Sequence, residues 1–253
     1  MNPVLISLSS FGSSEVKRHG HLLFARLALQ ARADGFEVRS ELLRNAEAEL
    51  AALGEALPSA LRVYSRHEGL WDTEGGLNEA ALDRGLTHLR TLGSSKLKMS
   101  IRRYQPSSSQ TLNQLRTALL GANIELVIEN DQTPGAETLV ALQEFFAAAD
   151  SAGVKLGLTF DIGNWHWTGE CPLKAAAVLA PRVCCVHCKG VQRRAQRWVA
   201  VPVVGWAAPW RAILRTQPVN QPWAIEYPLA GENLLAVTRH ELAQLRGIER
   251  SLK

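Results

Sequence analysis

Long apolar runs are missing from this 253-residue chain. No stretch approaches the roughly 20 residues that a helix needs to span a bilayer, so a membrane protein is not expected. Cysteine is scarce: there are four, and Cys171, Cys184, Cys185 and Cys188 crowd into one short region. That is no disulfide framework and suits a reducing cytoplasm. Cys185 and Cys188 have C-x-x-C spacing but lie in a strand-like run, where residues three apart face opposite sides. Buried, unreactive thiols are therefore expected there, not a shared metal. No block of like charge occurs. Lys and Arg total 28 against 24 Asp and Glu, a net +4, and the basic residues are scattered. Without a basic patch, nucleic acid is not an expected partner. The opening MNPVLISLSSFGSS has neither a basic start nor a long apolar core, which predicts no signal peptide and a cytoplasmic protein. Internal repeats, low-complexity tracts and linkers are absent too, so residues 1–253 read as one domain.

What remains is an ordinary globular composition, 46% hydrophobic and 21% charged, with enough chain for a large core. Its apolar segments alternate in type. Short strand-like runs lie at Val4–Ser9, Phe36–Ser40, Leu61–Ser65, Leu97–Ile101, Ile124–Glu129, Lys155–Asp161, Val183–Lys189 and Trp223–Glu226. Helical patterns separate them at Leu22–Ala33, Ala46–Leu57, Glu79–Leu92, Thr111–Leu120, Glu137–Ala152, Leu173–Ala180 and near Pro209–Thr216, and Asn233–Ile248 closes the chain. Strict alternation with no two strands in succession argues a parallel sheet. Eight strand–helix units at this length predict an α/β fold, a single (β/α)8 TIM barrel with its site at the C-terminal ends of the strands. An open doubly wound sheet would want a Gly-rich first turn for a dinucleotide, and Ser9–Ser14 (SSFGSS) does not supply one.

In such a barrel the groups that do chemistry come from the carboxyl ends of strands. Asp161 ends the apolar run from Val154 to Phe160, and Gly163 and Asn164 break the strand straight after it. A carboxylate at that depth is costly unless hydrogen-bonded, paired or bound to a cation. The helix that follows starts near Pro172, too far along for Asp161 to cap it. Three more strand ends carry residues of the same kind: Glu129 in LVIEND, His187 in CCVHCKG and Glu226 in WAIEYPL. One buried acid is often a structural ion pair, and a lone buried histidine is usually a satisfied core residue. Four in successive strands point instead to a metal. Three carboxylates and an imidazole make a hard site that favours one Mn2+ or Mg2+, with Co2+ or Zn2+ also compatible. Lys189, two residues past His187, shares its side of the strand. Lys98 sits near the end of the fourth strand. Trp71, Trp165, His166, Trp167, Trp206 and Trp210 fall in loops on the same face, where aromatic walls suit sugars but where tryptophans also serve as core.

The set Glu129, Asp161-x-Gly-Asn164, His187-x-Lys189 and Glu226 resembles the xylose-isomerase-like TIM-barrel superfamily of sugar phosphate isomerases and epimerases. So do Glu37-Val38-Arg39 on the second strand and the loop Pro202-Val203-Val204-Gly205 leading to Trp210. The resemblance implies that Glu129, Asp161, His187 and Glu226 hold one divalent metal, and that Glu129 and Glu226 are an acid–base pair on a bound sugar. It implies proton transfer in a sugar or keto-sugar-like polyol through a metal-stabilised enediolate. Lys189 is the further catalytic candidate, and Lys98, Asn164, His166, Trp167 and Arg39 are the substrate-contact candidates. A dehydratase of an inosose-type substrate is the alternative, since it starts with the same proton abstraction. The expected partners are a small carbohydrate and, in one arrangement open to such barrels, a second copy in a homodimer.

The chain also departs from relatives. Asn164 stands where several have a histidine, and the early strand ends offer only His67, which disfavours a multi-zinc nuclease resembling endonuclease IV. Gly135 stands where ketohexose epimerases have a further glutamate, and Ala207 where a second glycine is common. A relative that binds sugar without turnover is the remaining reading.

Overall fold

The aliphatic runs become short parallel strands because each is buried on both faces, inside against the barrel interior and outside against helices. In the computed structural model, which describes residues 1–132, 138–205 and 209–252, these are β1 (Val4–Ser7), β2 (Gly35–Arg39), β3 (Leu61–Gly69), β4 (Lys96–Ser100), β5 (Glu125–Glu129), β6 (Gly157–Asp161) and β7 (Val183–Cys188). A hairpin of β8 (Gly190–Arg194) and β9 (Arg197–Val201) follows, and then β10 (Trp223–Ile225). The eight core strands close in the order β1-β10-β7-β6-β5-β4-β3-β2, every neighbouring pair parallel. The expected (β/α)8 barrel is what forms. No described helix is long and apolar enough to cross a membrane.

Helices cover the outside: α1 (Ser13–His19), α2 (His21–Gln30), α3 (Ala46–Ala56), α4 (Glu79–Leu92), α5 (Leu112–Leu119), α6 (Leu139–Ser151), α7 (Pro172–Leu179), α8 (Trp210–Thr216) and α9 (Leu234–Leu252). Their limits follow local chemistry. Asn45, Asn78 and Thr138 cap α3, α4 and α6 by accepting a backbone N–H three residues on. Gly93 ends α4 in the left-handed conformation at φ 65°. The helix expected over Leu22–Ala33 forms as α2, and a short α1 not expected from the sequence precedes it, set apart by Gly20 at φ 83°.

The hairpin is the main departure from the expected loop after the seventh strand. Its two-residue turn, Ala195–Gln196, puts alanine at φ 52° where glycine or asparagine is usual, so nothing in the sequence marks it. Trp71, expected in a loop facing the site, is buried in an aromatic cluster with Tyr104 and Phe145 at ring separations of 4.9 and 5.4 Å. Trp165 and Trp210 are buried as well. Trp206 and Ala207 lie outside the described residues, as do Gly135 and the expected start of the sixth helix at Glu137.

Candidate active site

Parallel pairing brings four strand ends to one height. Asp161 and His187 are register partners across β6 and β7, Glu129 ends β5, and Glu226 follows β10 on the far side of His187. One ligand atom from each of Glu129, Asp161, His187 and Glu226 lies within 4.8 Å of all the others. At the centre is His187 Nδ1, fully buried and without an aligned hydrogen bond. It stands 2.9 Å from Glu129 Oε1, 3.1 Å from Glu226 Oε2 and 3.7 Å from Asp161 Oδ2. An imidazole nitrogen ringed by three carboxylate oxygens is a donor set that fits one hard or borderline divalent cation.

Cations of the chain balance these acids. Lys189 Nζ lies 2.7 Å from Asp161 Oδ2 and 2.9 Å from Glu226 Oε2. Arg39 reaches Glu226 Oε1 at 2.9 Å, and Lys98 reaches Glu129 Oε2 at 2.8 Å. The titrations follow. Burial works against charge on Glu129, yet Lys98 and then His187 more than offset it and hold the carboxyl at about 2. Burial likewise opposes Glu226, but Lys189 and His187 keep it well below the usual range. Asp161 is the exception, because burial outweighs Lys189 and raises it. Burial and Lys98 push His187 down, and Glu226, Glu37 and Glu129 overcome both to hold it well above an ordinary imidazole.

Asp161 does not cap α7, as its distance from Pro172 predicts, but it does close a nearer turn. Its Oδ1 accepts the backbone N–H groups of Gly163 and Asn164 at 2.8 and 3.0 Å, closing the short 3-10 turn Asn164–His166. Only Oδ2 remains for the site. Asn164 holds that turn to β5 by donating to the Asn130 carbonyl at 2.8 Å, and its amide oxygen accepts from Gln132 at 3.1 Å.

A cleft of about 630 Å³ opens above these groups, lined by Arg39, Asn164, Lys189, Glu129 and Glu226 from the candidates. Sequence reasoning missed Ser9, Ser13, Glu41, Arg102, Asp131 and Gln132, which also line it. Their signal was position alone, just past the ends of β1, β2, β4 and β5. Three substrate-contact candidates stand elsewhere. Lys98 is fully buried beneath the cleft. His166 and Trp167 pack against Trp198 of the hairpin at ring separations of 5.2 and 6.4 Å, and burial lowers the His166 pKa. Cys185 and Cys188 are buried free thiols, raised by burial, as expected.

No protein-family model and no curated sequence matches the chain. Solved structures do. A structure of L-ribulose 3-epimerase superposes with a TM-score of 0.68 at 13% identity, covering 100% of this chain and 96% of that one. The probable 3-DHS dehydratase AsbF of Bacillus anthracis, described as involved in petrobactin synthesis, gives 0.67 at 14%, covering 97% and 99%. The IOLI protein with a bound zinc atom gives 0.67 at 11%, covering 96% and 97%. Over its whole length, and with its polar strand ends gathered at one mouth, the chain has the fold of the xylose isomerase-like TIM barrels.

Proposed function

We propose that the protein is a divalent-metal-dependent isomerase or epimerase of a sugar or keto-sugar-like polyol. The observation that carries this reading is the convergence of Glu129, Asp161, His187 and Glu226 at the floor of a polar cleft. Likeness to an epimerase and to a zinc-bound barrel of the same fold supports it. A bound divalent ion, with Mn2+ or Mg2+ favoured by the oxygen-rich donor set, would supply Lewis-acid polarisation of a carbonyl and its neighbouring hydroxyl. The chain's residues do the rest. Glu129 and Glu226 reach the site from strands separated by β6 and β7, so their carboxylates address a bound sugar from two sides. One takes the proton from the carbon next to the carbonyl and the other returns a proton to the opposite face. Lys189 and Arg39 are the donors at hand for substrate oxygens, and Asn164 is a polar wall whose amide is fixed in orientation. A dehydratase shares the first step, and likeness to the probable dehydratase favours it as the second reading. There the β-hydroxyl leaves as water.

The test is exchange of a carbon-bound proton with heavy water, by mass spectrometry, across keto sugars and inososes incubated with the Mn2+-loaded protein. Glu129→Gln and Glu226→Gln keep an oxygen for the ion and are expected to lose turnover by about 10²–10⁴-fold, the range of general acid–base groups. Exchange with retention of all oxygens supports an isomerase or epimerase, and loss of water a dehydratase. Near-normal turnover in both variants refutes the acid–base assignment.

A further inference from the structure

A second charged cluster lies under the first. Glu37 is the third residue of β2 and Lys98 the third of β4, and each side chain is 1% exposed inside the barrel. Glu37 Oε2 lies 3.0 Å from His187 Nε2 and accepts its proton, while Oε1 accepts from Lys98 Nζ at 2.8 Å. Lys98 has a second partner above, Glu129 Oε2 at 2.8 Å. Lys98 Nζ and His187 Nε2, 3.5 Å apart, thus converge as two donors on one carboxylate.

A buried ion pair is a poor way to fill a barrel. Apolar residues of the same volume are often equal or better for stability, because two ions must be stripped of water. This pair, however, touches two of the four candidate ligands from below. By engaging Nε2, Glu37 leaves Nδ1 as the nitrogen that faces Glu129, Asp161 and Glu226. By engaging Oε2, Lys98 leaves Oε1 as the Glu129 oxygen beside Nδ1. Ligating histidines are commonly oriented through their other nitrogen in this way, and loss of such a partner typically weakens metal binding by about 10–100-fold.

We propose that Glu37 and Lys98 are positioning residues that orient His187 and Glu129 toward a divalent cation. This rests on the metal reading above and adds residues that touch neither ion nor substrate.

The experiment is calorimetric titration of the metal-free protein with Mn2+, comparing wild type, Glu37→Gln and the double variant Glu37→Leu/Lys98→Met. The double variant removes one negative and one positive charge together, so a change in affinity reports orientation and not net charge. Its apolar pair also keeps the barrel filled if Glu37→Gln alone does not fold. Both are expected to bind Mn2+ about 10–100-fold more weakly than wild type while unfolding cooperatively. In the Zn2+-loaded wild type, the His187 Nε2–H should give a slowly exchanging proton resonance, lost in the double variant. Folded variants that bind Mn2+ within twofold of wild type overturn this inference alone. Failure of both variants to fold overturns it too, since the pair would then hold the barrel and not the ligands. A wild-type chain that takes up no Mn2+ overturns it together with the metal reading.

Discussion

Replacing Asp161 by asparagine separates its two oxygens. Asparagine Oδ1 can keep accepting the N–H groups of Gly163 and Asn164, so the turn that follows β6 should survive. Where Oδ2 now stands 2.7 Å from Lys189 Nζ, the variant presents an amide donor instead. Removing one partner of a buried ion pair usually costs about 3–5 kcal/mol. Two features reduce that here. Lys189 keeps Glu226 at 2.9 Å, and burial already raises the Asp161 pKa, so its charge is disfavoured by folding and neutralising it recovers part of the loss. Asp161→Asn should therefore cost no more than about 2 kcal/mol, below the range for a broken buried pair. Metal binding should respond far more. Losing an anionic ligand should exceed the roughly 100-fold upper range of indirect effects, about 2.7 kcal/mol at 1.36 kcal/mol per decade. Asp161→Ala is the contrast. It also strips two backbone N–H groups, at about 1–3 kcal/mol each if they stay unsatisfied. Urea unfolding of the metal-free variants and Mn2+ titration measure the two effects separately. If Asp161→Asn unfolds as easily as Asp161→Ala, or binds Mn2+ like wild type, the division of labour between the two oxygens is wrong.

Two further expectations concern pH and packing. His187 is held well above an ordinary imidazole pKa, so the stability it contributes is full below about pH 6.5 and is lost as pH rises through the higher folded value. Thermal midpoints measured upward from pH 6.5 should fall for the metal-free chain and rise for the Mn2+-loaded one, since the ion and the proton compete for the same ring; parallel curves would refute this. Gly35 in β2 packs so closely on β3 that an added Cβ would lie 2.1 Å from the Leu61 carbonyl oxygen. Gly35→Ala should cost about 3 kcal/mol, the upper end of ordinary overpacking because backbone must move, and an unchanged urea midpoint would contradict it.

How much of this was legible varied with where a residue sits along its strand. Glu129 and Asp161 each stand last of five in an apolar strand, and a charge there announces itself because nothing in a barrel core explains it. Glu37 and Lys98 send the same signal from the middle of β2 and β4, and Lys98 was read as a substrate contact. Two residues earlier on a strand is about 6.6 Å deeper at roughly 3.3 Å per residue. That distance carries a side chain from the cleft to the layer beneath the ligands. Alternation tells which side chains point inward but not at what depth, which needs the register of the neighbouring strands. The turn after Asp161 was missed for a related reason: the cap was sought on an α-helix, whereas the N–H groups it satisfies belong to a three-residue turn with no periodicity to show. The hairpin gave no glycine or asparagine at its corner. In each case the residue type was visible and its partner was not. Glu37 could be assigned to His187, 150 positions away, only once the barrel had closed and brought β2 within three strands of β7.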